Sequence, residues 1–147
     1  MSRSPRWWRT IRERGRAALG VLLLFLGGCT AGPTCLLPEQ RPLVVIHMFF
    51  GRDIPGRSAL SDAEWAAFAA DVVTAHFADG FTSFDGDGQW RDPEKGAIVR
   101  ERTKIVLVAA AATSDLATRV RAVRDAYRRR FDQAAVGVTA EPGCGAF

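Results

Sequence analysis

Leu43-Val44-Val45-Ile46-His47-Met48-Phe49-Phe50 is an apolar run broken only by His47, and Gly51, Pro55 and Gly56 stop it. A run of this length, rich in β-branched and aromatic residues and closed by breakers, reads as a buried central strand. The rest of the chain can be placed around it. Ser61-Asp62-Ala63-Glu64 has the spacing of a capping box, and Trp65, Phe68, Val72 and Val73 follow at helical intervals, so the pattern predicts an amphipathic helix over 62–76. Gly80 restarts the chain into Phe81-Thr82-Ser83-Phe84, and Asp92-Pro93-Glu94-Lys95-Gly96 is turn chemistry. Together they predict a long hairpin whose return arm runs from Ala97 through Lys104-Ile105-Val106-Leu107-Val108. Thr113-Ser114-Asp115 reads as the cap of a second helix, with Leu116, Val120, Val123 and Tyr127 on one face and Arg119, Arg121, Arg124 and Arg128 around the others. Ala135 to Thr139 reads as a short last strand.

The order βαββαβ predicts an α+β domain, a ferredoxin-like sandwich with a four-stranded antiparallel sheet and two helices on one face. In that topology the last strand lies antiparallel beside the first, so the chain near Leu43 neighbours the chain near Thr139. Cys35 and Cys144 flank those points. A bridge between them is compatible with the topology and, in the chain-entropy model, closing a loop of about 100 residues contributes up to roughly 4.7 kcal/mol. Two unpaired thiols are the alternative, since spacing alone does not fix a Cα separation.

The N-terminus gives an address. Arg3, Arg6, Arg9, Arg12, Arg14 and Arg16 precede an apolar run from Ala17 to Leu26, and Gly27-Gly28-Cys29 follows. This is the order of a lipoprotein export signal. The run is short of the about 20 apolar residues that a membrane-spanning helix needs. The expected organisation is a signal peptide over 1–28, a lipidated tether over 29–41 beginning at the acylated Cys29, and one domain over 42–147. Residues 1–28 carry six Arg and one Glu, +5, whereas residues 29–147 carry twelve Arg and two Lys against fifteen acidic residues, −1. The basic balance belongs to the leader, which argues against a nucleic-acid partner. The expected location is the bacterial envelope, held to a membrane by the lipid. With Thr30 rather than Asp after Cys29, a host with two membranes would place it on the outer one, facing the periplasm.

A family resemblance rests on motifs recurring in order. Phe49-Phe50-Gly51-Arg52-Asp53-Ile54-Pro55-Gly56, Ser61-Asp62-Ala63-Glu64-Trp65, Asp79-Gly80-Phe81-Thr82, Gly88-Gln89-Trp90-Arg91, Ile98-Val99-Arg100-Glu101 and Ala126-Tyr127-Arg128-Arg129-Arg130-Phe131 resemble the bacterial domain of unknown function family 3574. The likeness spans about residues 41–147. Gly56-Arg57-Ser58 departs from a more glycine-rich loop, and Thr103 stands where serine is usual. The resemblance implies small envelope lipoproteins and brings no activity with it.

Several residues carry possible chemistry. Arg52, Gln89, Trp90, Arg91, Arg100, Glu101 and Lys104 fall on strand one and the hairpin arms, where two or more Arg beside an aromatic plane suit a carboxylate or phosphate. The plainer reading is an ion-paired hairpin. His47, inside a strand, is the one candidate base near neutral pH, and no Ser, Cys or carboxylate pattern completes a triad around it. His76 and Arg128-Arg129-Arg130 suit the C-terminal dipole of a helix, and the arginine run also suits anionic headgroups. Ser83-Phe84-Asp85-Gly86-Asp87-Gly88 with Glu94 nearly fits a calcium loop but lacks its acidic first ligand and flanking helices. It reads instead as a bulge or bend in the hairpin. No metal and no cofactor are expected. The resulting expectation is a binding or accessory module working through its exposed sheet face, with homodimerisation through an open strand edge. The competing expectation is a small cofactor-free enzyme acting on an anionic small molecule, with His47 as base and Arg52 or Arg91 orienting the anion.

Overall fold

The apolar run forms the middle of β1 (Arg41–Gly51), which has a neighbour on each side. A computed structural model describes residues 34–93 and 96–147; the expected signal peptide and Cys29 lie outside the described residues. The other strands are β2 (Thr82–Arg91), β3 (Ile98–Ala110) and β4 (Gly137–Gly145). Their order is β2-β3-β1-β4, and each adjacent pair is antiparallel. This is the α+β, ferredoxin-like arrangement that the element order predicts.

Alternation along β1 divides the sheet into two faces. Ile46, Met48 and Phe50 point to the same side as Val106 and Val108, and all five are buried. Two helices cover that side. α1 is α-helical over Asp62–Phe68, widens to a π-helix over Ala69–Val73 and closes with a turn over Thr74–His76. α2 spans Leu116–Phe131. Trp65, Phe68, Val73 and Phe77 from the first helical segment and its exit meet Leu116, Val123, Tyr127 and Phe131 from the second in one core. Phe50 lies at its centre, its ring 4.8 Å from Tyr127 and 5.3 Å from Trp65, in the tilted and edge-on geometry that aromatic quadrupoles favour. The Tyr127 hydroxyl is satisfied inside this core by donating to the Gly51 carbonyl at 2.8 Å.

Local chemistry explains the ends of α1. The Glu64 amide donates to Ser61 Oγ at 3.2 Å and the Ser61 amide donates to Glu64 Oε2 at 2.9 Å, so the capping box is reciprocal. The π turn is not visible in the residue pattern. It buries Val73 and leaves Val72 half-buried, and the Thr74 hydroxyl donates back to the Ala69 carbonyl at 3.1 Å. At α2 the expected cap is different: Asp115 makes no side-chain capping bond and pairs with Arg119 at 3.1 Å instead.

Two strands run further than their composition suggests. β2 and β3 pair one-to-one from Thr82↔Leu107 to Arg91↔Ile98, so Asp85-Gly86-Asp87-Gly88 makes neither a bulge nor a bend. The acids and glycines occupy opposite faces. Asp85 and Asp87 face Lys104 and Arg102 on the helix side, while Gly86 lies beneath Ile105 on the open side. β4 continues through Pro142 and Gly143 because it is an edge strand, where a missing N–H can point outward and break no ladder bond.

Cys35 and Cys144 form a disulfide with a Cα separation of 5.6 Å. β1 begins at Arg41, and the bridge ties Cys35 to the end of β4, so residues 36–40 close a short loop between the bridge and the sheet.

Candidate functional site

The strongest concentration of charge lies where β1, β2, β3 and α1 meet. Arg52 follows the last residue of β1, Lys104 faces Phe50 from β3, Asp85 faces Lys104 from β2, and Asp62 opens α1. The two cations are buried, Arg52 at 4% exposure and Lys104 at 9%. Arg52 Nε donates to the Leu60 carbonyl at 2.8 Å, and its Nη2 donates to the same oxygen. Its Nη1 reaches Asp62 at 3.0 Å and Asp85 at 3.3 Å. Lys104 Nζ reaches the same two carboxylates at 3.2 and 2.9 Å. The Lys104 hydrogen bond, its charge and the nearby Arg52 guanidinium hold Asp62 below its ordinary value. Asp85 is lowered first by the Lys104 hydrogen bond, with smaller contributions from Lys104, Arg102 and Arg52 charge. Burial, reinforced by the Glu101 charge, holds the nearby Tyr127 phenol well above its ordinary range. Two cations balance two carboxylates, so the quartet pins four chain segments and exerts no net pull on an anion.

Beyond the helix layer the hairpin continues the same face outward. Arg102 lies opposite Asp87 and Arg100 opposite Gln89. These four residues, with Gly88 and Glu101, line a concavity of about 390 Å³. Two guanidiniums there can form forked hydrogen bonds to a planar carboxylate, beside the Asp87 carboxylate, which limits the net positive charge. Arg91 is occupied differently: Nη1 donates to the Gly96 carbonyl at 2.8 Å and holds the turn.

The opposite sheet face has no helices over it. Phe49 and Phe84 are exposed there, at 37% and 44%, on either side of half-buried Ile105 and near Leu107, and Trp90, at 50%, lies six residues further along β2. His47 belongs to this face, its ring 6.5 Å from that of Phe49. Glu101 also points this way, beneath Gly51, and its Oε1 accepts from the Asp53 amide at 3.1 Å.

The structure thus distributes the seven ligand candidates. Arg52 and Lys104 join in the quartet; Gln89, Arg100 and Glu101 border the hairpin concavity; Trp90 lies on the open face and Arg91 braces the turn. Asp62, Asp85, Asp87 and Arg102 were missed. The alternation Asp85-x-Asp87-x-Gln89 against Arg100-x-Arg102-x-Lys104 was the available signal, because in paired strands it puts all six on one face. Among the described residues no group of three or more His, Cys, Asp or Glu is placed to hold a metal ion. Ser83–Gly88 is strand throughout, without helices on either side. Arg130 pairs with Asp71 at 3.2 Å, and Arg128 Nε donates to the Ala134 carbonyl at 3.0 Å, so much of the arginine run is engaged within the domain.

Two of the comparisons with solved structures support the fold, those with a phage SAM lyase. A phage SAM lyase in complex with S-methyl-5'-thioadenosine superposes with a TM-score of 0.55 at 13% identity, covering 71% of this chain and 90% of that one. The apo state of a phage SAM lyase gives 0.52 at 12% identity, covering 72% and 90%. CutA from Synechococcus elongatus PCC7942 gives 0.48 at 13% identity, covering 71% and 80%. No curated protein matches the sequence. Residues 46–147, from the core of β1 through both helices to the C-terminal residue, match the family described as "Protein of unknown function (DUF3574)", and the chain belongs to that family.

Proposed function

We propose that the chain is a lipid-anchored protein of the bacterial envelope, on the outer membrane where the host has two, and that its domain binds a protein partner through the open sheet face. The observation that carries the binding reading is the apolar patch of Phe49 and Phe84 around Ile105 and Leu107, with Trp90 exposed further along the same face, which neither helix covers. Large aromatic side chains on an uncovered face are the usual anchors of an interface. The Cys35–Cys144 bridge supports the compartment, since such bonds persist outside the reducing cytosol. A second copy of the chain is the first partner to test, because β2 also leaves one edge of the sheet unpaired.

The enzyme reading draws less support. His47 lies on the flat face beside Phe49, whereas of the two expected anion holders Arg52 is committed to Leu60, Asp62 and Asp85 on the other side of the sheet and Arg91 donates to the Gly96 carbonyl at the hairpin turn. The likeness to a phage SAM lyase is a likeness of fold at 13% identity and carries no activity here.

The test combines native mass spectrometry of the lipoprotein in detergent with cell fractionation. The reading expects an acylated Cys29, a membrane-bound chain released by Cys29→Ala, and a dimer or larger complex lost on Trp90→Asp with Phe84→Asp. A chain found monomeric at micromolar concentration and without a co-purifying protein would refute the binding reading. A chain lacking N-terminal acylation would refute the anchor.

A further inference from the structure

The disulfide end of the domain carries apolar side chains that the core does not use. Leu36 and Phe147 are fully exposed and Leu37 is half-exposed, on the two chain segments that the Cys35–Cys144 bridge joins. Phe147 lies against the end of β4, since a Cβ on Gly145 would meet both its ring and Leu43. From there a groove of about 1,040 Å³, lined in part by Leu43, Phe81, Leu107 and Ala109, extends the apolar surface along the open face. The charges along this groove, Glu39, Arg41 and Asp79, are mixed.

We infer that this end is seated on the lipid bilayer, with Leu36, Leu37 and Phe147 entering its interfacial region. The inference rests on the anchored reading proposed above and specifies how the domain stands on its membrane. Chain length carries it. Cys29 precedes Cys35 by six residues, which extend to at most about 22 Å, so an anchor at Cys29 holds the bridge within that reach of the lipid. Without the bridge the first fixed residue would be Arg41, and the leash would be twice as long. The side chains exposed at the point of attachment are those that gain from partial burial among acyl chains, and with no basic cluster among them the seating draws on apolar contact and not on anionic headgroups. β1 begins and β2 begins at this end, while the β2–β3 turn lies at the other, so the hairpin concavity points away from the membrane.

The test uses the full acylated chain in phosphatidylcholine vesicles whose acyl chains carry bromine close to the headgroup. One tryptophan is introduced, by Leu37→Trp or Phe147→Trp, in a Trp90→Phe background whose core Trp65 gives a common baseline to subtract, with Ile98→Trp at the far end as reference. These positions are exposed, so the fold tolerates the replacements. At an insertion depth of about 5–10 Å, brominated lipid should quench the residue 37 and 147 tryptophans at least about twofold more than the residue 98 tryptophan. Equal quenching at all three positions, on a chain shown by mass to be acylated at Cys29, overturns the inference and leaves the anchored reading intact. An unacylated chain that does not bind vesicles overturns both.

Discussion

Replacing Arg52 by Met should destabilise the protein by about 2 kcal/mol, whereas Lys104→Met should cost no more than about 1 kcal/mol, although the two cations share the same carboxylates. Asp62 and Asp85 are exposed at 75% and 49%, so water takes over their solvation when either cation is lost. Ion pairs of that kind contribute little, and this is all that Lys104→Met removes, because Met keeps the buried stem. Arg52 has one further partner. Its Nε and Nη2 both donate to the carbonyl of fully buried Leu60, and methionine leaves that oxygen without them. An orphaned buried acceptor costs about 1–3 kcal/mol. For a domain of this size, 2 kcal/mol corresponds to a fall in Tm of roughly 10 °C. The assay is urea unfolding of oxidised protein at neutral pH, followed by circular dichroism, with the midpoints compared at constant slope. Equal losses for the two variants, or a larger loss for Lys104→Met, would refute the argument that the carbonyl and not the charge network sets the energy.

Removing the bridge with paired Cys35→Ser and Cys144→Ser substitutions closes off a constraint over a separation of 109 residues, and the chain-entropy model predicts a loss approaching 4.8 kcal/mol, read as a lower urea midpoint. Acid should weaken the fold in a defined window. Asp62 and Asp85 are held below 3.8, chiefly by Lys104, and Glu64 below 4.5, chiefly by the Ser61 amide, so their contribution is complete above about pH 4.5 and is lost as pH falls through the lower folded values. Asp62→Asn with Asp85→Asn should flatten the decline of midpoint with pH; an unchanged slope would contradict it. Gly86→Ala should change the midpoint little in the same assay, because a Cβ there meets only the Cδ1 end of Ile105, at 2.9 Å, which can rotate aside on the open face, and Gly88→Ala, whose nearest contacts are at 3.4 Å, should also be mild; a large loss for Gly86→Ala would show that Ile105 cannot move.

The sequence was most informative where a side chain's role is local. The β1 run, the Ser61 and Glu64 cap and the helix around Tyr127 are each set by periodicity and neighbours within a turn, and each is found. The bridge was legible at one remove, since it follows from placing β4 beside β1. Roles that depend on register were not legible. Asp62 reads as a helix-start residue and Asp85 as half of a turn-like Asp-Gly pair, yet Lys104 and Arg52 bring them together only once β2 has paired with β3 at a particular offset. The π turn at Ala69–Val73 and the length of β4 escaped for a related reason: local preference there is overridden by what the neighbouring layer requires.

The bond between Cys35 and Cys144 makes everything between them a covalent ring. A single cut in an exposed loop, such as the one carrying Pro55 to Ser58, opens the ring without dividing it, and both new ends stay attached to the same folded body. Such a nicked molecule keeps its intact mass, apart from one added water, and separates into two pieces only when the cut is combined with a reductant. Proteolysis in an oxidising compartment would therefore need two cuts to discard any part of the ring between Cys35 and Cys144.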